Sequence, residues 1–163
     1  MNILLGALFL LGGIMIGSLI AKKYKAKYEF LSSFYAFLEY LETNFNFLQD
    51  SIKVVLDNKK QSFCNDFNDF LNDLSQNLDN QQDFLTKWST QQKFLNQNEV
   101  LVFTKFFEQL GRLDCQTQIE SIKQTKQALS EFVQLAKDAH TKKGKLSTQL
   151  GLMCGLTLFI IVL

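Results

Sequence analysis

The chain has no proline in 163 residues, so nothing of that kind breaks a helix anywhere along it. Histidine is almost as scarce. His140 is the single example, which leaves little for general-base or metal chemistry. The three cysteines, Cys64, Cys115 and Cys154, share no C-x-x-C spacing, which excludes a zinc site or disulfide framework of recognisable pattern. Charge of one sign is lacking too: 17 basic residues stand against 16 acidic ones, a net of +1, whereas a nucleic-acid binder usually carries a strongly basic face. There is no phosphate-binding G-x-x-x-x-G-K-[ST] loop, no G-x-S-x-G elbow and no H-E-x-x-H helix. No catalytic, metal-binding or cofactor-binding residue is therefore assigned, and no small-molecule substrate or nucleic acid is expected. What is abundant is apolar: 47% of the chain, with 16 phenylalanines, enough for a sizeable core and against disorder.

Apolar residues concentrate first at the two ends. Residues 3–21 carry no charge and stop at Lys22, Lys23, Lys25 and Lys27. At 1.5 Å per residue such a run spans the roughly 30 Å hydrocarbon core of a bilayer. A cleaved signal peptide would want its basic residues before the apolar run and a small-residue cleavage site, and neither is present. Residues 146–163 are again free of charge and follow Lys137, Lys142, Lys143 and Lys145. Eighteen residues is near the lower limit for a span, and a buried core helix is the alternative reading. Gly13-x-x-x-Gly17 and Gly151-x-x-x-Gly155 have the small-residue spacing that lets membrane helices approach closely. Lysines flank only the inner ends of the two runs, so the positive-inside rule predicts two spans with residues 22–145 in the cytoplasm. The expected domains are thus an N-terminal transmembrane helix over 1–21, a cytoplasmic helical bundle over 22–145 and a C-terminal transmembrane helix over 146–163.

In the middle, Gly111 is the lone glycine between Ser18 and Lys143. Helical periodicity predicts a first helix over about 24–56, burying Phe30, Phe34, Phe37, Leu38, Leu41, Phe45, Phe47, Leu48, Ile52 and Val55. A break near Thr43 to Phe47 is allowed by Asn44 and Asn46. A second helix is predicted from a Ser62 cap, with Phe63, Phe67, Phe70, Leu71, Leu74 and Leu78 inward. A third carries Phe84, Leu85 and Trp88. A fourth, capped by Asn98, buries Leu101, Phe103, Phe106, Phe107 and Leu110 and closes at Gly111. Asp114 caps a last helix that continues to a joint at Gly144, with Ile119, Ile122, Leu129, Phe132, Val133 and Ala136 inward. His140, among lysines, reads as a surface residue.

Charge is unevenly spread along this middle. Residues 57–83 have six aspartates against two lysines, a net of −4, and residues 84–145 have ten basic and six acidic residues, a net of +4. The pattern reads either as a solvated amphipathic face or as a polarised docking surface. Asp66, Asp69 and Asp73 share one helical face and are the candidate partner surface. They lack the glycine turn of a calcium loop.

With end anchors and a helical middle in view, the sequence resembles the stage III sporulation protein AB family of endospore-forming bacteria. Phe107-Glu108-Gln109-Leu110-Gly111-Arg112-Leu113-Asp114, followed by Gln118, is similar to the family's F-G-x-x-L-G-x-S-D-x-x-x-Q signature. Leu41-Glu42-Thr43 resembles its L-E-T segment, Trp88 falls at its Ala-Trp pair, and residues 150–156 resemble its L-G-x-x-x-G-L ending. Leu113 stands where the family has serine, and its Thr-Pro-Leu element has no counterpart near residues 47–51. The resemblance implies an all-α fold like the cytoplasmic domains of the type II secretion F protein. It also implies a structural platform subunit of a channel-like complex in the mother-cell membrane around the forespore. Its partners would be a secretion-type ATPase and other membrane proteins of the complex. From the residues themselves, a membrane-tethered helical sensor or signalling adaptor remains the alternative.

Overall fold

With no proline and with glycine sparse between the ends, little interrupts helix, and the computed structural model is helical throughout its regular structure. It describes residues 2–47, 63–92 and 94–162, and no strand occurs among them. Among the described residues six α-helices follow in order: α1 Asn2–Phe47, α2 Asn65–Gln76, α3 Gln81–Gln91, α4 Gln97–Gln109, α5 Cys115–Asp138 and α6 Lys145–Val162. A 3₁₀ turn, Leu78–Asn80, leads into α3, and a π-helical segment, Ala139–Gly144, joins α5 to α6.

Two compact units emerge. Unit 1 is Met1–Tyr28 with Gln134–Leu163, and unit 2 is Glu29–Val133. The expected separation of the first apolar run from a helix starting near Tyr24 does not occur, because α1 runs unbroken from Asn2. Nor does Gly144 act as a joint. The helix widens into six π-helical residues instead and continues, with Gly144 buried at the end of that segment. Among the described residues one helical stretch, Cys115–Ile161, is long and apolar enough to cross a membrane.

Unit 2 is a bundle built on phenylalanine. Phe30, Phe34, Phe37, Leu38 and Leu41 repeat at helical spacing along α1, as do Phe67, Phe70, Leu71 and Leu74 on α2 and Phe103, Phe106 and Phe107 on α4, and all are buried. Phe103 sits at the centre, 4.8 Å from the rings of Phe34, Phe70 and Phe107 and 4.5 Å from that of Trp88. Such pairs add about 0.5–1.5 kcal/mol each beyond the area they remove from water. Leu85 of α3 and Ile122 and Leu129 of α5 complete the core. Leu48, Ile52, Val55 and Ser62 lie outside the described residues, as do the side chains of Phe45 and Phe47.

Several helix ends differ from expectation. Cys64 is the N-cap residue of α2, and its N–H donates to the buried Ser33 Oγ at 3.0 Å, tying α2 to α1. The cap of α4 is Asn96 rather than Asn98, because Glu99 reaches back so that its Oε2 accepts the Asn96 N–H at 2.7 Å. Leu101 is 64% exposed. It lies two residues before Phe103, about 200° around the helix from the core face. Gln81, buried at the start of α3, donates its side-chain N–H to the Phe107 carbonyl in the last turn of α4, which also accepts the Leu110 N–H of the C-cap at 3.3 Å.

Candidate functional site

Glycine determines how unit 1 packs. A Cβ on Gly13 would sit 2.5 Å from the Gly151 carbonyl oxygen and 3.1 Å from Gly155 Cα. One on Gly151 would sit 2.5 Å from the Gly13 oxygen, and one on Gly17 would sit 2.7 Å from the Ser147 oxygen. These obstacles are backbone, so no side-chain rotation relieves them. The structure therefore brings Gly13, Gly17, Gly151 and Gly155 into one seam between α1 and α6, where main chain touches main chain. Gly12, next to the seam in sequence, has nothing within 4 Å of its added Cβ. Farther along, Tyr28 and His140 stack with ring centres 6.0 Å apart and planes 8° apart. His140 is thus half-buried, not a surface residue, and its Nδ1 is buried with no hydrogen-bond partner among the described residues.

The turn between α4 and α5 gathers Leu110, Gly111, Asp114 and Gln118 in unit 2. Leu110 is buried at the α4 C-cap, and Gly111 follows at φ 84°, in the left-handed region that suits a residue without Cβ. The Gly111 N–H donates to Gln118 Oε1 at 3.2 Å, holding the turn against the first turns of α5. Gln118 is 1% exposed, and its Nε2 has no partner among the described residues. Asp114 accepts both the Thr117 N–H, at 3.2 Å, and the Thr117 hydroxyl, at 2.8 Å, through Oδ2. These two bonds hold its carboxyl below its ordinary value of 3.8.

Asp66, Asp69 and Asp73 are all exposed on α2. Asp73 also borders a hollow of about 550 Å³ shared with Asp83, Lys87 and Trp88. The polarised charge pattern expected for the middle of the chain changes once the units are defined. Four of the ten basic residues in 84–145 belong to unit 1, so residues 84–133 keep six basic against five acidic residues and a net of only +1. Unit 2 is acidic as a whole, with fifteen acidic and nine basic residues, a net of −6.

One contact was not legible in the sequence. Lys126 Nζ donates to Glu42 Oε2 at 3.0 Å, lies 3.6 Å from Glu39 Oε1 and sits 5.6 Å from the Tyr35 ring centre. The hydrogen bond to Glu42 raises the lysine above its ordinary value of 10.5. Glu42 belongs to the Leu41-Glu42-Thr43 segment, but 84 residues separate it from its partner, and no local pattern joins them. Cys64 is half-buried, and Cys115 and Cys154 are exposed free thiols. Among the described residues no group of His, Cys, Asp and Glu could hold a metal ion.

A family model for stage III sporulation protein AB matches residues 2–163, which include the glycine seam and the Gly111 turn alike. No curated protein and no solved structure matches the chain. With the match running across nearly its whole length, the chain belongs to the stage III sporulation protein AB family.

Proposed function

We propose that this protein is a non-enzymatic, two-pass membrane subunit of a sporulation channel complex, with residues 1–21 and 146–163 as the spans. Residues 22–145 would form a cytoplasmic platform of the type II secretion F kind. The observation that carries the membrane reading is the inverted packing of unit 1. Its interior is glycine backbone, whereas Leu8, Leu11, Met15, Ile16, Leu150, Met153, Ile160 and Ile161 face outward with exposures of 52–73%. Only 12% of the apolar window of Cys115–Ile161 is buried, unlike a core helix of a water-soluble bundle. Such a surface is stable in hydrocarbon and costly in water. The lysines beside both apolar runs support a cytoplasmic bundle. Family membership supports the sporulation complex.

Single cysteines at Asn2 and Asp69 in a cysteine-free chain test the topology. With the chain expressed in vegetative cells, where the outer face of the membrane meets the medium, Asn2 should react with an impermeant maleimide before lysis and Asp69 only after it; labelling of Asp69 before lysis contradicts the orientation. The platform role predicts a basic docking surface on a secretion-type ATPase for the acidic unit 2. Binding should weaken as salt rises, since exposed charges more than about 10 Å apart are screened at 0.1 M. Reversing Asp66, Asp69 and Asp73 to Lys should slow association with the helical fold intact. Capture of the tagged protein from sporulating cells should return that ATPase and ring-forming membrane proteins. Recovery of partners unrelated to secretion would favour a membrane-tethered signalling adaptor instead.

A further inference from the structure

Two contacts in unit 1 bracket its lysines. Gly17 lies against Ser147, and Tyr28 lies against His140, so residues 22–27 of α1 and residues 142–145 run at the same level of an antiparallel helix pair. Two basic runs far apart in sequence thereby form one belt. Lys22, Lys23, Lys142, Lys143 and Lys145 are exposed in it, and among the described residues none of the five has an acidic partner. Unit 1 as a whole holds eight lysines against the single acidic residue Asp138, a net of +7.

The belt adjoins an open apolar face of α1. Along α1, Ile16, Leu19, Ile20 and Ala26 line a hollow of about 470 Å³ that Lys22 and Lys23 also border. Ammonium groups beside an alkyl-lined helix face complement an amphiphile that is anionic at one end and hydrocarbon at the other. A free phosphate would leave that apolar face unused, and an acidic peptide would lay its backbone against alkyl side chains that cannot hydrogen-bond it.

We propose that unit 1 binds an anionic phospholipid, with an acyl chain along Ile16, Leu19 and Ile20 and the headgroup phosphate on Lys22 and Lys23. The lysines at 142–145 enlarge the positive field from the neighbouring helix. Lysine suits this role because its ammonium is a compact charge on a flexible stem that reaches from the end of a span to the headgroup layer. The inference rests on the membrane reading of unit 1.

The test uses the full chain reconstituted in vesicles of phosphatidylcholine containing either spin-labelled phosphatidylglycerol or spin-labelled phosphatidylcholine. The protein should immobilise phosphatidylglycerol at least about fivefold more strongly, the equivalent of one lysine at an anionic surface. Lys22→Gln with Lys23→Gln should remove most of that preference, and Lys22→Arg with Lys23→Arg should keep it. Lys105→Gln with Lys123→Gln, exposed lysines of unit 2, should leave it unchanged. Alkaline carbonate extraction separates the two ways of failing. Equal immobilisation of both lipids by a chain that resists extraction overturns the lipid proposal alone, as does a preference indifferent to the glutamine variants. A chain that carbonate strips from the vesicles overturns the membrane reading together with the lipid site.

Discussion

The two units of this chain solve packing in opposite ways. Unit 2 buries its largest side chains: Phe34, Phe67 and Phe107 are wholly inaccessible, and its surface is rich in Asp, Asn, Gln and Lys. Unit 1 buries its smallest residues and turns leucine, isoleucine and methionine outward. Apart from Leu101, every large apolar side chain exposed among the described residues belongs to unit 1. In water, removing apolar area from solvent is the dominant gain, so phenylalanines collect inside. In the hydrocarbon surroundings proposed for unit 1 that gain vanishes, and close van der Waals approach between helices, which glycine permits at this seam, takes over. Charge divides along the same line, +7 for unit 1 and −6 for unit 2.

The contrast is open to attack from both sides. The largest effect should come from the middle of unit 2: Phe103→Ala leaves a cavity among Phe34, Phe70, Trp88 and Phe107 and should cost about 3–5 kcal/mol in chemical denaturation followed by near-ultraviolet circular dichroism. A loss under 1 kcal/mol would mean that the phenylalanine cluster is not the source of stability. In unit 1 adding one methyl group, not deleting a ring, should do the damage. Gly13→Ala and Gly151→Ala should each cost about 1–3 kcal/mol in bilayer nanodiscs, since both methyl groups meet backbone oxygen. Gly12→Ala, one residue away with open space, should stabilise by up to about 1 kcal/mol through helix propensity. Equal responses at positions 12 and 13 would dissolve the seam.

Smaller effects come from the turn of unit 2. Gly111→Val forces a β-branched residue to φ 84° and should cost about 1–3 kcal/mol, read as a lower midpoint of thermal unfolding. The smallest is the Asp114 cap. Because folding lowers the pKa of Asp114, its carboxylate stabilises the fold above pH 3.8, and that contribution is lost as pH falls below 3.8 through the folded-state value. Asp114→Asn, which keeps an accepting oxygen but cannot titrate, should flatten that part of the acid-unfolding profile. An unchanged profile would remove Asp114 from it.

Helices were legible throughout, because periodic phenylalanine and leucine in a chain without proline leave few other arrangements. The stripe of Phe30, Phe34, Leu38 and Leu41 reads directly as a buried face, and Gly111 followed by Asp114 reads as the end of one helix and the start of the next. The Asn96 cap was legible too, since asparagine followed three residues later by Glu99 is a variant of the capping-box pattern, although Asn98 offers the same side chain nearer the apolar run. Leu101 reads as core on hydrophobicity alone, and only its angle from Phe103 on the helix shows otherwise. No local signal marks Gly144 as part of a π-helical segment rather than a joint, because the widened turn depends on what packs beside it.

By itself the sequence determined the helices, the apolar ends with their lysines, and the phenylalanine positions that must leave water, because backbone restriction and hydrophobic periodicity are local properties. Tertiary structure decided which distant residues meet. Gly13 against Gly151, Tyr28 against His140 and Glu42 against Lys126 are each more than 80 residues apart, and it is the meeting of helices from opposite ends of the chain that turns two lysine runs into one belt. Such pairings are selected by shape and charge between surfaces that exist only after the helices have formed, so no stretch of sequence carries them.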